Sequence, residues 1–400
     1  MGKQPVTLEM VREAQESIKG FARWTDLLPA SASVFGTRKV LVKAENQQRT
    51  GSFKVRGAYN RMCRLTERSV ICASAGNHAQ GVALAARQLG IGASVVMPRG
   101  APLSKIEATR AYGAEVILSG ESFNEALDTA LALQKERGLA FIHAFEDPYV
   151  IAGQGTIGLE ILRDCPGVKT IVVPIGGGGL AAGVALAVKE TNPGVRVIGV
   201  EPDSAASMLA SFENSTPVKL NRCRTIADGV AVAEPGATTY SLCRRYLDGI
   251  LTVSEDEIAT AILTMLERMK MVAEGAGAIA LAALMSRSGL EDPAVAVVSG
   301  GNIDVNVLER IIDRGLMNSG RRARLSTAVA DRPGRLSKLL ELLAQQGVNI
   351  LSVSHDRLAR GLEIGQTAVE IEMETRDRAH VREVEAALKA NGYPVSGKED

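Results

Sequence analysis

The chain has 400 residues, which is enough for two or three domains with sizeable hydrophobic cores. Apolar residues make up 46% and charged residues 23%, as in ordinary globular proteins, and the net charge is only +1. This balance argues against a nucleic acid, a membrane surface or a polyanion as the partner. The longest apolar runs are far shorter than the ~18 residues that a membrane span needs.

The N-terminal segment and the cysteines indicate the same compartment. The start, MGKQPVTLEMVREAQESIKG, is polar and amphipathic and has no apolar core followed by a cleavage site, so no signal peptide is expected. The five cysteines form no CxxC pair and are odd in number, which argues against a disulfide framework. They are Cys63, Cys72, Cys165, Cys223 and Cys243. A reducing, cytoplasmic setting is therefore predicted.

Between about Lys39 and Asn302, short β-branched runs alternate with longer segments of helical periodicity. The strand-like runs are KVLVKAE, VICAS, ASVVMP, EVILS, AFIHAF, TIVVPIG, RVIGVEP and AVAVVSGG. Continuous apolar strands separated by helices predict parallel sheets of the α/β class, one near residues 70–145 and another near residues 170–302. Such sheets bind ligands at the carboxyl ends of their strands, where this chain has SAGN, GGGG and SGGN.

The first unusual segment is RTGSFKVRGA, in which Lys54 follows a phenylalanine in a glycine-flanked, basic setting. A lysine acts as a nucleophile only if it loses its proton near neutral pH, and an apolar pocket or nearby positive charge must then lower its pKa. Phe53 would supply apolar surface, and Arg49 and Arg56 would supply charge. The alternative is an ordinary solvated lysine, which is the common state of this residue type.

SAGNHAQG, residues 74–81, is predicted to follow a strand and open a helix. Asn77 and His78 lie near the helix start, where backbone amides can hold a carboxylate, and the Asn77 side chain can donate to a ligand oxygen. The alternative for Ser74 or Asn77 is an N-cap. His78 can equally be a locally satisfied histidine, and it is not predicted to act as a base.

GGGGL, Gly176 to Leu180, also follows a buried strand and opens a helix that is predicted to continue to about Lys189. Successive glycines let the backbone approach an anion, and the helix N-terminus offers unpaired N–H groups, so the segment predicts a phosphate site. Gly177, Gly179 and Ala182 also satisfy the G-x-G-x-x-A pattern of a dinucleotide site, with Glu201 at about the required distance. A plain flexible loop is the third alternative.

SGGN, Ser299 to Asn302, is a third loop after a buried strand, and Ser299 can exchange a hydrogen bond with a ring nitrogen. Loops of serine and glycine are common, so this segment says little alone. Together, however, the three loops can hold a phosphate, a carboxylate and a ring nitrogen beside a lysine. An aldehyde cofactor with a phosphate, a phenolic oxygen and a pyridine nitrogen is pyridoxal phosphate, which requires a lysine amine. The combination predicts that cofactor at Lys54.

After Leu316 the pattern changes to a basic linker, MNSGRRARL, followed by shorter elements. The order is a strand (LSTAVA), a helix (DRPGRLSKLLELLAQQG), two strands (VNILSVSHDRL and TAVEIEMET), a helix (RAHVREVEAALKANG) and a last short strand at YPV. This order predicts a ferredoxin-like split βαβ domain. It has no nucleophile with a base and no metal-ligand spacing, so it is either a structural or dimerising appendage or a small-molecule sensor.

The segments ENQQRTGSFKVRGA, SAGNHAQGVA, GGGGLAAG, EGAGA and SGGN resemble the serine/threonine dehydratases of the tryptophan-synthase-β-like (fold type II) pyridoxal-phosphate enzymes. The likeness runs from about Thr25 to Leu316, and the stretch with DRPGRL resembles an ACT regulatory domain. Together they resemble the single-ACT family of threonine dehydratases, or threonine ammonia-lyases. The resemblance implies a catalytic domain over residues 1–320, with two parallel-sheet lobes (the small one about 50–146, the large one the remainder). An ACT-like domain is implied over 323–400.

The resemblance also implies roles for single residues. Lys54 is expected to bind the cofactor covalently and then act as the base at the substrate Cα, with Phe53 beside the ring. Asn77 is expected to bond the phenolic oxygen and Ser299 the pyridine nitrogen. The cofactor phosphate is expected at Gly176, Gly177, Gly178, Gly179 and Leu180. The substrate carboxylate is expected at Ser74, Ala75, Asn77 and His78.

Two positions favour one reaction within that family. Ser299 does not protonate the pyridine nitrogen as an aspartate would, which favours departure of a β-hydroxyl. Ala75 stands where racemases of the family carry an acid/base serine, so racemisation is disfavoured. The expected reaction is deamination of L-threonine, and of L-serine, by β-elimination. Serine dehydratase and hydroxyaspartate lyase are the alternatives within the family, and an NAD-dependent oxidoreductase or a non-catalytic amino-acid-binding protein are those outside it.

The remaining expectations concern a metal and an effector. Glu201 and Ala205 match a cation site of serine racemases, but Ser207 replaces an acidic ligand, so no metal is predicted. The ACT resemblance implies an amino-acid effector, isoleucine or valine, at a β–α turn or a domain interface. The residues implied for it are Asp331, Pro333, Gly334 and Asn349. The resemblance also implies a homotetramer.

Overall fold

The computed structural model describes residues 5–359 and 361–397 and divides the chain into two compact units, Met1–Asp304 and Val305–Asp400. Residues 1–4 belong to the N-terminal segment for which no signal peptide is expected, and they lie outside the described residues. The last three residues of the predicted ACT-like domain, 398–400, also lie outside them. Within the described ranges, no helix has the length and apolar character that crossing a membrane requires. All five cysteines are free thiols.

The first unit alternates strands and helices along the chain. Its strands are β1 (Leu27–Pro29), β2 (Val40–Lys43), β3 (Ser69–Ala73), β4 (Gly92–Met97), β5 (Glu115–Leu118), β6 (Ala140–Phe141), β7 (Thr170–Pro174), β8 (Arg196–Pro202), β9 (Gly249–Val253) and β10 (Ala294–Val297). Its helices are α1 (Leu8–Ser17), α2 (Ala32–Phe35), α3 (Lys54–Met62), α4 (Asn77–Leu89), α5 (Leu103–Ala111), α6 (Phe123–Arg137), α7 (Pro148–Asp164), α8 (Gly179–Thr191), α9 (Ser207–Asn214), α10 (Ala237–Tyr246), α11 (Glu255–Met269) and α12 (Gly275–Ser286). Short 3₁₀ helices cover Glu45–Gln47, Arg49–Gly51, Asp203–Ala205 and Asp228–Val230.

Two parallel sheets form the first unit. The smaller has the order β5-β4-β3-β6 and is parallel throughout. The larger has the order β1-β2-β10-β7-β8-β9, and only its edge strand β1 runs antiparallel to its neighbour. Strands β7 and β10 are buried along their whole length, as expected for strands covered on both faces. The predicted two-lobed parallel architecture is confirmed.

The large hydrophobic core lies between the six-stranded sheet and helices α1, α7 and α8. A second core joins the four-stranded sheet to α3 and α4. Helices α7 and α8 approach closely because glycines face each other, and a Cβ at Gly155 would lie 2.8 Å from the Gly183 carbonyl oxygen. Helix α12, GAGAIALAALMS, has small apolar residues on all sides and is almost entirely buried, so its N-terminus is held firmly inside the unit.

Strand direction brings the three predicted loops to strand ends. SAGN follows β3, GGGG follows β7 and SGGN follows β10, each at the carboxyl end. The loop before Lys54 joins the third of these, because Ser52 pairs with Gly300 and the Gly301 amide donates to the Gly51 carbonyl at 2.9 Å. Helix α3 therefore begins beside SGGN.

The second unit begins with α13 (Val305–Asn318) and continues as β11 (Arg322–Ala330), α14 (Arg335–Gln345), β12 (Asn349–Asp356), β13 (Gln366–Glu374), α15 (Arg378–Ala390) and β14 (Val395–Gly397). Its antiparallel sheet has the order β12-β13-β11-β14. Leu325, Leu339, Ile371 and Val384 form the core between this sheet and the two helices α14 and α15. The βαββαβ order confirms the predicted ferredoxin-like fold.

Candidate active site

Lys54 is the first residue of α3 and is half-buried. Its Nζ donates to the Ala144 carbonyl oxygen at 3.3 Å and lies 5.2 Å from the centre of the Phe53 ring. Burial lowers the pKa of Lys54 from 10.5 to about 8, and the charge of Glu274 opposes that change. A substantial fraction of this amine is therefore neutral near physiological pH, as a nucleophile or base requires.

The cause of the lowered Lys54 pKa differs from the expected one. Arg56 is fully buried, and its guanidinium contacts the Glu45 and Glu160 carboxylates at 2.8 and 2.5 Å. These carboxylates raise the pKa of Arg56 against the effect of burial, and they neutralise its field. Arg49 instead lies over the Phe21 ring, 5.5 Å from its centre. Desolvation, and not the neighbouring arginines, makes Lys54 easier to deprotonate.

A buried ionic network fixes the helix that carries Lys54. Arg56 on α3 bonds Glu160 on α7, and Lys43 on β2 contacts the same carboxylate at 2.7 Å. The Glu45 carboxylate accepts from the Thr25 hydroxyl and completes the network. Because every charge has a partner, the network holds α3 to the six-stranded sheet and to α7 without leaving an isolated ion.

The glycine loop presents backbone amides from the start of α8. Gly178 has φ +90°, a conformation that a residue with a side chain rarely adopts. The Gly177 carbonyl oxygen accepts from the Thr239 hydroxyl at 2.6 Å, which turns that peptide group towards α10. Within the described parts of the chain, no amide from Gly176 to Leu180 donates to a protein acceptor. Such an open set of N–H groups at a helix N-terminus fits a phosphate.

Phe145 is a site residue that the sequence analysis missed. A Cβ at Gly177 would overlap its ring, and a Cβ at Gly179 would lie 2.9 Å from its Cβ. The His143 ring packs edge-on against Phe145, with centres 4.7 Å apart, and Ala144 between them accepts from Lys54. This segment therefore connects the lysine to the glycine loop. The only signal in the sequence is the place of Phe145 as the last residue of the strand-like run AFIHAF.

The SAGN loop offers a second set of backbone donors. The Ser74 hydroxyl accepts from the Gly76 amide at 3.2 Å, and Gly76 is the N-cap of α4 without a side-chain cap bond. The predicted alternative, an N-cap role for Ser74 or Asn77, is therefore wrong. The amides of Ala75, Asn77 and His78 donate to no residue in the described ranges. This arrangement suits a carboxylate.

His78 is buried beneath this loop and is uncharged. Its Nε2 lies 2.9 Å from the Ile142 carbonyl oxygen, so that nitrogen carries the proton, and Nδ1 has no partner among the described residues. Burial first, and then the charge of Lys54, lower the pKa of His78 to about 3. A histidine with so low a pKa does not act as a base near neutral pH.

The third loop places Ser299, Asn77 and Glu274 together. Ser299 is buried, its hydroxyl donates to the Ala276 carbonyl oxygen at 3.0 Å, and its own carbonyl oxygen accepts from the Phe53 amide at 3.1 Å. The Asn77 amide lies between Glu274 and Asn302, at 2.5 and 2.8 Å. Burial, and next the charge of Asp228, raise the pKa of Glu274 to about 7. Glu274 lies in EGAGA, one of the segments that carry the family resemblance, but no role is predicted for it from the sequence.

Glu201 lies near the end of β8 and has a structural role. Its two carboxylate oxygens accept from the Met208 and Leu209 amides, each at 2.8 Å, and burial raises its pKa to about 7. With both oxygens engaged, it does not offer the ribose contact that the dinucleotide alternative needs. Ala205 is buried nearby, and the Ser207 hydroxyl has no described partner. The described residues contain no group of three or more His, Cys, Asp or Glu that could hold a metal.

The expected effector residues fall at two ends of the second unit. Asp331 and Gly334 lie in the exposed turn between β11 and α14, where Asp331 pairs with Arg357 at 2.9 Å. Pro333 is exposed in the same turn. Asn349 lies at the other end of the sheet, because it pairs with Glu374 beside the start of β11. A single chain therefore brings together three of the four residues.

The chain matches two protein families and many individual proteins. The pyridoxal-phosphate dependent enzyme family matches residues 18–300, and the ACT domain family matches residues 323–390. An L-threonine ammonia-lyase of Thermotoga maritima is 50% identical over 396 residues, which cover 98% of this chain and 99% of that protein. The catabolic L-threonine dehydratase of Escherichia coli strain K12 is 45% identical over 320 residues, covering 77% of this chain and 96% of that protein.

A solved structure gives the same result for the fold. The processed form of threonine deaminase isoform 2 from Solanum lycopersicum superposes with a TM-score of 0.74 and 39% identity, over 78% of this chain and 96% of that chain. The site fits the cofactor of the matched family, since it combines a lysine of lowered pKa, Lys54, with backbone amides at residues 176–180 that can donate to a phosphate. The chain therefore belongs to the pyridoxal-phosphate-dependent enzyme family and carries a C-terminal ACT domain.

Proposed function

We propose that this protein is an L-threonine ammonia-lyase, which converts L-threonine to 2-oxobutanoate and ammonia with pyridoxal phosphate as cofactor. The observation that carries the proposal is Lys54, a half-buried amine of lowered pKa beside three strand-end loops. The Thermotoga maritima relative, which is covered almost completely, is named L-threonine ammonia-lyase. The Escherichia coli relative is named L-threonine dehydratase. Both names support L-threonine as the substrate.

The cofactor contacts follow from the groups that each loop offers. The open amides of residues 176–180 bind the phosphate, and Ser299 meets the pyridine nitrogen. Asn77 donates to the phenolic oxygen, and Phe53 packs near the ring. When bound, pyridoxal phosphate supplies the electron sink that makes the substrate α-proton acidic. Lys54 would hold the cofactor through its side-chain amine.

The substrate contacts account for elimination rather than racemisation. The Ala75, Asn77 and His78 amides, with Ser74, bind the substrate carboxylate at the start of α4. The released Lys54 amine then removes the α-proton, since its pKa of about 8 suits a base near neutral pH. Ala75 has no acidic proton to return to the substrate Cα on the face opposite Lys54. The neutral His78, whose Nε2 bonds the Ile142 carbonyl oxygen, does not return one in its place. Loss of the β-hydroxyl is the outcome.

Substrate choice, regulation and assembly belong to the same proposal. L-Serine differs from L-threonine by one methyl group, which discriminates by only about 1–3 kcal/mol, so both are substrates. The ACT domain binds isoleucine or valine at the turn that holds Asp331 and Gly334, whose helix start suits an amino-acid carboxylate. The enzyme acts as a cytoplasmic homotetramer. Its unpaired thiols are compatible with a reducing compartment.

The test is the visible absorption spectrum of the purified protein before and after L-threonine is added. We expect a cofactor band that shifts on addition, together with 2-oxobutanoate release. Lys54→Ala should abolish turnover, whereas Lys135→Ala, at an exposed position on α6, should leave it unchanged. A protein that binds no pyridoxal phosphate even after incubation, or a Lys54→Ala variant that still deaminates threonine, would contradict the proposal.

A further inference from the structure

The direction in which the Asn77 side-chain amide faces decides what it can offer a ligand. Its oxygen is an acceptor and its nitrogen carries two donors, and the two ends have nearly the same shape. A phenolic oxygen that carries negative charge needs the nitrogen end. Rotation of the amide by half a turn would present the oxygen instead and turn an attraction into a repulsion.

Two neighbours fix that direction. Asn302 Nδ2 donates to Asn77 Oδ1 at 2.8 Å, and Asn77 Nδ2 donates to Glu274 Oε1 at 2.5 Å. In the rotated amide, the nitrogen would face the Asn302 nitrogen and the oxygen would face the Glu274 carboxylate. Both contacts would then be repulsive. In the observed direction, one Nδ2–H is used by Glu274 and the second remains for a ligand.

Backbone groups in turn hold both neighbours in place. Asn302 Nδ2 also donates to the Thr50 carbonyl oxygen at 2.6 Å, so its nitrogen end cannot turn away without losing that bond. Glu274 is buried at the start of α12, and its amide donates to the Gly300 carbonyl oxygen at 3.1 Å. The absence of a side chain at Gly300 leaves room for the Glu274 carboxylate, which a Cβ there would overlap.

We infer that Glu274 and Asn302 are positioning residues that hold the Asn77 amide with its free N–H directed to the phenolic oxygen of pyridoxal phosphate. This inference rests on the proposed function and deepens it, since neither residue belongs to the predicted cofactor contacts. Glu274 holds the Asn77 amide more firmly as a carboxylate than as a protonated acid, because the protonated acid is a weaker acceptor and also a donor. The charges that act on Glu274 are Asp228, Lys105 and Lys54.

The first experiment measures the dissociation constant of pyridoxal phosphate from the apoprotein. Glu274→Ala and Asn302→Leu should each weaken binding about 10- to 100-fold, since each leaves the half-buried Asn77 amide without one of its partners. Glu274→Gln retains an acceptor of the same shape and should stay within about 5-fold of wild type at neutral pH. Glu291→Gln removes an equal charge at an exposed position and is the matched control.

A double-mutant cycle separates positioning from direct action. If Glu274 acts through Asn77, Glu274→Ala should change affinity by less than about 2-fold once Asn77→Ala is present. The pH profile gives a second readout. Wild-type affinity should fall as pH decreases through about 7, where Glu274 gains a proton. That step should be missing in Glu274→Gln, and the titration of the cofactor itself cancels because it is common to both proteins.

The possible results of these experiments distinguish failure of the inference from failure of the proposed function. Equal losses from Glu274→Ala with and without Asn77, or an unchanged pH step in Glu274→Gln, would overturn the inference while leaving the proposed function intact. A wild-type protein that fails to bind the cofactor would overturn the proposed function itself. Thermal melting of each apoprotein identifies a variant that fails to fold, and in that case Glu274→Gln, which has the same shape as the native residue, carries the test through its pH profile.

Discussion

At the scale of single residues, the chemistry depends on the different effects that the protein interior has on the charges of Lys54 and Arg56. Lys54 forms no ion pair with a carboxylate of the described residues, and desolvation lowers its pKa to about 8. Arg56, two positions later, is fully buried between Glu45 and Glu160 and stays charged. One site therefore favours a neutral amine and the other an ion network, although both lie on the same helix.

The Lys54 pKa leads to a prediction for the apoprotein. The rate at which pyridoxal phosphate attaches covalently should rise with pH and level off above about 8, because only the neutral amine attacks the aldehyde. An unperturbed lysine, with a pKa of 10.5, would still be gaining rate at about pH 10. Stopped-flow absorbance across this range decides between the two profiles.

The buried network leads to a prediction for stability. Arg56→Met leaves the Glu45 and Glu160 carboxylates without the guanidinium, and should lower the free energy of unfolding by about 3–5 kcal/mol. Arg12→Met is the control, because Arg12 pairs with Glu9 on the exposed face of α1 and its loss should cost only about 0–1 kcal/mol. Urea unfolding of the apoproteins, followed by circular dichroism, gives both values, and equal shifts would argue against a structural role for the network.

At the scale of elements, the site depends on helix starts that follow strands. Helices α4 and α8 both begin after a parallel strand with amides left open in the described structure. In α8 those amides lie against Phe145 and α10, which leave no space for side chains in the glycine loop. The geometry of this loop is therefore determined by the segments packed around it as well as by its own flexibility.

The glycine loop leads to a prediction about cofactor affinity. A methyl group at Gly177 would overlap the Phe145 ring and force the loop to move, so Gly177→Ala should weaken pyridoxal phosphate binding about 10- to 100-fold. Gly167→Ala is the control, since a Cβ there meets no atom within 4 Å. Fluorescence or absorbance titration of the apoproteins measures both, and an unchanged affinity in Gly177→Ala would mean that the phosphate binds elsewhere.

At the scale of the whole molecule, the two units allow catalysis and regulation to be tested separately. The Escherichia coli relative is matched over 96% of its own length by 77% of this chain, so a threonine dehydratase of that length covers only part of this chain, and the ACT domain family matches residues 323–390 here. A chain that ends at Gly320 should keep kcat and KM for threonine within about 3-fold and lose its response to isoleucine and valine. Kinetics with each effector provide the test, and a truncated protein that responds like the full chain would place the effector site in the first unit.

Local pattern was sufficient for much of the fold. Apolar runs of strand length, separated by helical segments, predicted the two parallel-sheet lobes, and the shorter mixed pattern after Leu316 predicted the ferredoxin-like domain. The helices at Asn77 and Gly179 begin where the sequence placed them. Phe145 and Glu274 were missed because nothing beside them in the chain marks their function, which comes from residues far away in the sequence.

The sequence by itself determined which chemical groups are available: a lysine after a glycine-flanked loop, amides at helix starts, and buried strands that hold both at one edge. Those features are local, because strand and helix periods and glycine conformations are set within a few residues. Only the tertiary structure decided how Asn77 is directed, since it meets Glu274 and Asn302, which lie 197 and 225 positions away. The same applies to the Lys54 pKa, because burial depends on everything that packs around the amine, whereas Arg56, a charged neighbour named by the sequence, is neutralised by carboxylates that include the distant Glu160.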